Sequence, residues 1–249
     1  MRLTILGSGA VLSKERACSG FLLESGKKKL LIDIGEGAFT NLKKVAEPAD
    51  INTILLTHFH SDHASALSTF LLYRRLVFKY GSIKSASQLN IIGPKGLAAF
   101  CEALDNAFPT LKEVPFKVVT KELENSFLII PGFRIKSRVV KHESTIAYRI
   151  EAEGKSIVFS GDTAYCEDII SLANEADLLV LECSLPDSLP SSNHLTVSQA
   201  ASIAKQANVK SLLLNHFYPQ VENEPIEKIV KNIYSGSLRI ASDLMVIEF

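Results

Sequence analysis

The chain carries six histidines, at positions 58, 60, 63, 142, 194 and 216. Each stands at or just beyond the end of a candidate strand, or in a loop. Side chains at strand ends converge on one rim of a sheet, where binding sites are commonly built. The densest group is Thr57-His58-Phe59-His60-Ser61-Asp62-His63, with four potential metal ligands within six residues. In an extended segment His58 and His60 point the same way. Asp62 and His63 follow in a turn that opens a helix. A polar helix cap with solvated histidines would account for one or two of these residues, not four. Imidazole and carboxylate suit zinc, with manganese and iron as alternatives. Four such ligands exceed what one open catalytic zinc takes from its protein, so two divalent ions are the economical expectation.

The pattern around this cluster alternates strands and helices. Arg2–Leu6 reads as a short strand. Phe21–Glu24 and Leu30–Ile34 flank the hairpin signal Ser25-Gly26-Lys27-Lys28. Ile51–Thr57 reads as a strand running into the histidines. Ala64–Lys79 has the helical spacing of Leu67, Leu71, Leu72 and Leu76. Leu89–Ile92, then Gly93-Pro94-Lys95-Gly96 and an Ala/Leu/Phe run, read as strand, turn and helix. Phe127–Ile130, Phe133–Val140, Thr145–Ile150 and Ser156–Ser160 are separated by turn residues, as in antiparallel hairpins. Leu178–Glu182 is a strand, Thr196 an N-cap for Val197–Gln206, Ser211–Asn215 a strand, Glu224–Tyr234 a helix, and Leu244–Phe249 a closing strand. Repeats, low-complexity tracts and linkers are not evident, so one domain over 1–249 is expected. Mixed sheets with helices outside would bury such a pattern.

Composition narrows the function classes. The chain is 47% hydrophobic and 22% charged, and its 27 basic and 27 acidic residues cancel. No global basic surplus marks it as a nucleic-acid binder. The four cysteines, at 18, 101, 166 and 183, have no C-x-x-C spacing. They read as free, mostly buried thiols of a reducing compartment. The first apolar run is too short for a signal peptide, and no stretch reaches the roughly 18 apolar residues of a membrane span. A cytoplasmic protein without a membrane partner is expected.

Further candidates lie outside the cluster. Asp162, in Ser160-Gly161-Asp162-Thr163, emerges from the apolar run Ile157–Phe159 and is placed to bridge two cations. Alone it would read as an Asx turn or helix cap. His142 and His216 each follow a candidate strand, where a lone histidine is ordinarily a satisfied loop residue. A two-metal site in want of ligands reverses that reading. Asp33, in Leu31-Ile32-Asp33-Ile34-Gly35-Glu36-Gly37, is an acid at the end of an apolar run, suited to orienting a ligand histidine. Glu182 ends a strand and His194 precedes a helix. A carboxylate bonded to that imidazole would raise its pKa and make it a proton donor. Gly7-Ser8-Gly9-Ala10 lacks the third glycine of a dinucleotide fingerprint and the Gly-Lys-Ser/Thr of a P-loop. Its glycines read as a tight turn near the site rim.

Taken together, His58-Phe59-His60-Ser61-Asp62-His63 with His142, Asp162 and His216 resembles the metallo-β-lactamase superfamily over nearly the whole chain. The resemblance implies an α+β fold, an αββα sandwich of two mixed β-sheets packed face to face with helices outside. It implies one metal on His58, His60 and His142, another on Asp62, His63 and His216, and Asp162 between them. Within the superfamily the chain is most similar to the ribonuclease Z branch. Leu6-Gly7-Ser8-Gly9, Asp33-x-Gly35-Glu36-Gly37, Ser160-Gly161-Asp162-Thr163, and Glu182 with His194-Leu195-Thr196 carry that likeness. The Glu182–His194 pair implies handling of a scissile phosphate. A homodimer is also implied.

The chain departs from the transfer-RNA-processing enzymes of that branch. Only 20 residues separate His142 from Asp162 (162 − 142), where those enzymes insert an RNA-binding arm. No Pro-x-Lys-x-Arg-Asn stretch is visible. Phe217-Tyr218-Pro219-Gln220-Val221 has no arginine where Phe-Ser-x-Arg-Tyr would stand. The expected substrate is therefore a small, cyclic or short nucleotide phosphodiester rather than a large RNA. Asp62, Glu182 and His194 are the expected catalytic residues: Asp62 and His194 for proton transfer, with Glu182 orienting His194. The alternatives are a transfer-RNA 3′ endonuclease, a metal-dependent esterase or lactonase, and a non-enzymatic metal-binding module.

Overall fold

The computed structural model describes residues 1–81, 88–109 and 114–249. Apolar runs too continuous for a one-sided strand need cover on both faces. Two sheets stacked between helix layers provide it. The first contains β1 (Arg2–Gly7), β2 (Gly20–Ser25), β3 (Lys28–Ile34), β4 (Thr53–Leu55), β5 (Leu89–Gly93), β6 (Val118–Glu122) and, from the far end of the chain, β14 (Val246–Glu248). The second contains β7 (Phe127–Ile130), β8 (Phe133–Val139), β9 (Ile146–Ala152), β10 (Lys155–Phe159), β11 (Leu178–Glu182), β12 (Ser211–Asn215) and β13 (Ser237–Ile240). The orders are β14-β1-β2-β3-β4-β5-β6 and β13-β12-β11-β10-β9-β8-β7. Each sheet is antiparallel in one half and parallel in the other.

The helices are α1 (Ala38–Val45), α2 (Ser61–Ala64), α3 (Leu67–Tyr80), α4 (Leu97–Ala107), α5 (Glu167–Ala173), α6 (Val197–Gln206) and α7 (Ile226–Lys231). Between the sheets, Leu3, Ile5, Phe21, Leu30 and Ile32 meet Ile135, Tyr148, Ile157, Phe159 and Leu212. The rings of Phe21 and Phe159 lie 5.2 Å apart across that layer. Successive side chains of a strand face opposite ways, so Leu6, Leu22 and Leu31 pack outward with Leu42, Phe70, Leu71 and Leu97 of the helices. α5 and α6 cover the second sheet. The expected αββα sandwich is the observed architecture. No helix among the described residues is long and apolar enough to cross a membrane.

Several element boundaries differ from expectation. The strand leading to the histidines is only Thr53–Leu55, because a 3-10 turn at Pro48–Asp50 precedes it and the chain leaves the sheet at Leu56. The long helix expected over 64–79 is broken between α2 and α3 at Ser65 and Ala66, where Ala66 N–H donates to Ile34 O. The last helix starts only after Pro225 and ends at Lys231. α1, α5, β6 and β13 carry no strong sequence signal. Thr196 caps α6 as expected, with a full capping box through Gln199.

Strand direction is what builds the site. β3, β4, β8, β10, β11 and β12 end within three residues of Asp33, Thr57, His142, Asp162, Glu182 and His216 respectively. Their carboxyl ends share one rim. There the sheets are tied together: Tyr148 Oη donates to Leu56 O at 2.8 Å, and Ile146 N–H donates to Thr57 O at 3.0 Å. Gly161 makes the close approach possible. It has φ 58, and a Cβ there would lie 2.8 Å from both Thr57 Cβ and Thr145 Cγ2. Gly161→Ala is therefore expected to destabilise more than Gly154→Ala. Gly154 has φ 72 but nothing within 4 Å, so it isolates the backbone cost, on the order of 1–3 kcal/mol. Urea unfolding of the two variants checks the ranking.

Candidate metal centre

Beyond β4 the chain runs extended to His60, which has φ −60 and ψ 149, and then turns into α2. His58 and His60 thus project together, with ring centroids 4.6 Å apart. The single turn of α2 swings His63 back to 4.1 Å from His58. His142 arrives from the turn after β8, 5.2 Å from His58 and 5.1 Å from His60. Asp162, from the loop after β10, reaches three histidines. Its Oδ1 lies 3.2 Å from His63 Nε2 and 3.4 Å from His216 Nε2, and its Oδ2 lies 3.6 Å from His58 Nε2. Asp62 Oδ2 is 3.3 Å from His216 Nε2 and also accepts from Val11 N–H. The glycine loop read as a turn at the site rim thus touches a candidate ligand. His194 stands 5.3 Å from His142 and 5.8 Å from His216. All the residues singled out from the sequence come together here.

Each histidine spends one ring nitrogen on the protein, and the free Nε2 atoms of His58, His63 and His216 lie beside cluster carboxylates. His63 Nδ1–H donates to Asp33 Oδ2 at 2.7 Å. His58 Nδ1 meets Thr57 Oγ1 at 3.1 Å, and that hydroxyl donates onward to Asp33 Oδ2 at 2.9 Å. Thr57 N–H donates to Asp33 Oδ1 as well. Glu182 repeats the arrangement in the second sheet. Its Oε1 bonds His194 Nδ1 at 3.0 Å, and its Oε2 accepts from Ser184 Oγ, which in turn meets His216 Nδ1 at 3.0 Å. His142 Nδ1 rests on Thr145 Oγ1 at 2.9 Å, and His60 Nε2 on Glu143 Oε2 at 3.1 Å. Anchoring the distal nitrogen in this way fixes tautomer and ring orientation.

The inward atoms form two separate donor sets, and a third group, Asp162, His194 and His216, overlaps both. His58, His60, His142 and Asp162 offer ligand atoms that all lie within 4.8 Å of one another, and so do Asp62, His63 and His216. His58 Nε2, His63 Nε2 and Asp162 Oδ1 are buried without a hydrogen-bond partner. Since Asp33 takes the Nδ1 proton of His63, its Nε2 presents a lone pair to an anionic oxygen of Asp162. Two electron-rich atoms buried face to face repel unless positive charge lies between them. A divalent cation meets that requirement, and protons substitute for it in the metal-free chain. Burial alone would lower the pKa of His63, but Asp162 and Asp33 outweigh it and raise it well above the usual value. Burial would raise the pKa of Asp162, yet His216, His63 and His58 hold it well below the carboxylate range. His58, desolvated and beside His63, is pushed down. The donor set therefore fits divalent cations.

Sequence reasoning missed Thr57, Thr145, Ser184 and Glu143. Thr57 was legible as the neighbour of the histidine run, and Ser184 as a residue two beyond Glu182. Nothing in the spacing marks Thr145 or Glu143. Three residues here have left-handed backbone, Asp33, Glu143 and His216 with φ 53, 34 and 60, while Glu153, Glu175, Asn208 and Leu244 adopt it in turns elsewhere. Non-glycine residues adopt such values rarely, in turns and at functional sites.

Comparison with known proteins agrees with this architecture. A ribonuclease Z of Mycobacterium bovis is 27% identical over 283 residues, covering 100% of this chain and 98% of its own. The metallo-β-lactamase fold protein YhfI from Bacillus subtilis superposes with TM-score 0.84 at 24% identity, covering 100% of this chain and 99% of that one. The short form of human tRNase Z gives TM-score 0.81 at 26% identity, covering 100% and 99%. The family described as anti-Pycsar protein Apyc1 matches residues 1–233. The chain belongs to that family, among the ribonuclease Z-like metal-dependent hydrolases of the metallo-β-lactamase superfamily.

Proposed function

We propose that this chain is a two-metal phosphodiesterase for small, cyclic or short nucleotide phosphodiesters. The carrying observation is the Glu182–His194 pair beside the two donor sets. In this reading His58, His60 and His142 hold one ion, Asp62, His63 and His216 hold the other, and Asp162 lies between them. Zinc suits the donors, with manganese or iron as alternatives. Two such ions, when bound, activate water and stabilise the charged oxygens of a phosphodiester displacement.

The protein's own groups divide the remaining work. Glu182 is a positioning residue. It is buried, and its oxygens are taken by Thr163 N–H, His194, Ser184 Oγ and Leu195 N–H. His194 leaves Nε2 free toward the cluster. Burial would lower its pKa, but the hydrogen bond and charge of Glu182 raise it above the usual value. The imidazolium would contact a phosphoryl oxygen or protonate the leaving oxygen. Asp62 would pass a proton rather than store it. Burial would raise its pKa, but His216 and His63 lower it further. Asp33 acts through His63 directly and through His58 by way of Thr57.

The second reading is a transfer-RNA 3′ endonuclease, favoured by the end-to-end match to a ribonuclease Z. Against it, the stretch between His142 and Asp162 is consumed by β9 and β10 inside the sheet, which leaves no arm.

Loaded protein should hydrolyse bis-p-nitrophenyl phosphate and cyclic or dinucleotide diesters, with p-nitrophenyl acetate a poor substrate and a chelator abolishing turnover. Absence of diesterase activity on loaded protein would sink this reading. Precursor transfer-RNA cleavage at comparable rate would favour the second. His194→Ala should lower kcat roughly 10²–10⁴-fold with bound metal unchanged. Its profile should also lack the wild type's fall in kcat as pH rises through the raised pKa of His194. Equal loss of metal would make His194 structural instead.

A further inference from the structure

His60 differs from the other five histidines. Their anchors are buried or nearly so: Asp33, Thr57, Thr145, Glu182 and Ser184 are all at most 2% exposed. The His60 side chain is 42% exposed, and its partner Glu143 is 65% exposed. Their contact, Nε2 to Oε2 at 3.1 Å, occupies Nε2 and leaves Nδ1 as the available donor.

Glu143 is held there by its backbone. It follows His142 in a turn closed by Val140 N–H to Thr145 O, His142 N–H to Val140 O and Thr145 N–H to His142 O. Its φ of 34 is one that glycine or asparagine would adopt more easily. One turn thus supplies His142 as a donor and Glu143 as the anchor of His60, both on the same donor set. The second set, Asp62, His63 and His216, is buried throughout and has no such exposed anchor.

We propose that Glu143 is a positioning residue that selects Nδ1 of His60 as the metal donor and sets the affinity of the ion on His58, His60 and His142. This rests on the two-ion reading above. A carboxylate on the distal N–H orients an imidazole and raises its basicity, and removing such a partner costs about 10–100-fold in metal affinity. Because this anchor alone faces water, the ion it supports is the exchangeable one of the two.

The test is a zinc titration of metal-stripped protein against a chromophoric chelator, for wild type, His60→Ala, Glu143→Gly and Glu143→Gln. Glycine fits the backbone angle, so loss of folding does not confound the result. Glutamine keeps an acceptor for the His60 N–H, and at this exposed position, unlike buried Asp33, its amide is free to turn that oxygen to the ring. Wild type should take up two ions in distinguishable steps. Glu143→Gly should weaken, by about 10–100-fold, the step that His60→Ala removes, and leave the other within twofold. Glu143→Gln should recover most of the loss. Unchanged steps in Glu143→Gly, or equal weakening of both, would overturn the proposal while leaving the two-ion reading intact. Fewer than two ions on wild type would overturn both.

Discussion

Two buried carboxylates hold the centre together, one from each sheet. Asp33 is the penultimate residue of β3 and Glu182 ends β11. Each takes one histidine directly and a second through a hydroxyl: Asp33 holds His63 and, by Thr57, His58, while Glu182 holds His194 and, by Ser184, His216. A buried carboxylate without such partners would be costly, and unanchored imidazoles would not converge. The same bonds thus stabilise the two buried carboxylates and orient the four imidazoles. What remains uncompensated, the inward Nε2 atoms and Asp162, is where cations belong.

The rest of the fold serves that arrangement. Parallel strand segments in both sheets end on the same rim, and the sheets are tied there by Tyr148 and Ile146. Gly161 lets the Asp162 loop lie against Thr57 and Thr145, the hydroxyls that anchor His58 and His142. The left-handed backbone at Asp33 and His216 is tolerated because Asp33 is fixed by three hydrogen bonds and His216 N–H by Ser8 O. The two donor sets are nevertheless unequal. One is enclosed, and the other opens to water at His60.

The sequence made the centre legible because ligand chemistry is concentrated in few residues. His58-x-His60-x-Asp62-His63 announces itself, and strand-end positions tied in His142, Asp162 and His216. Strands buried on both faces, such as Ser211–Asn215, and the capped helix after Thr196 were readable from apolar runs and a capping box. The shortening of the strand before the histidines was not, since Leu56 and Thr57 stay apolar or β-branched while bonding across to Ile92, Tyr148 and Asp33. The break at Ser65 and Ala66 reflects a tertiary bond to Ile34, which no helical periodicity records. Hydroxyl and carboxylate anchors such as Thr145 and Glu143 are placed by folding and leave no spacing signal.

The central claim is that one carboxylate governs donors of both proposed ions. Asp33→Asn tests it most directly. Asparagine tolerates the backbone at φ 53 but can donate to His63 Nδ1, which would move the ring proton to Nε2 and close that donor. It would also weaken the hold on Thr57 and hence on His58. Metal analysis of folded Asp33→Asn should show both ions lost or weakened, against two on wild type. Retention of both ions at wild-type affinity would contradict the account.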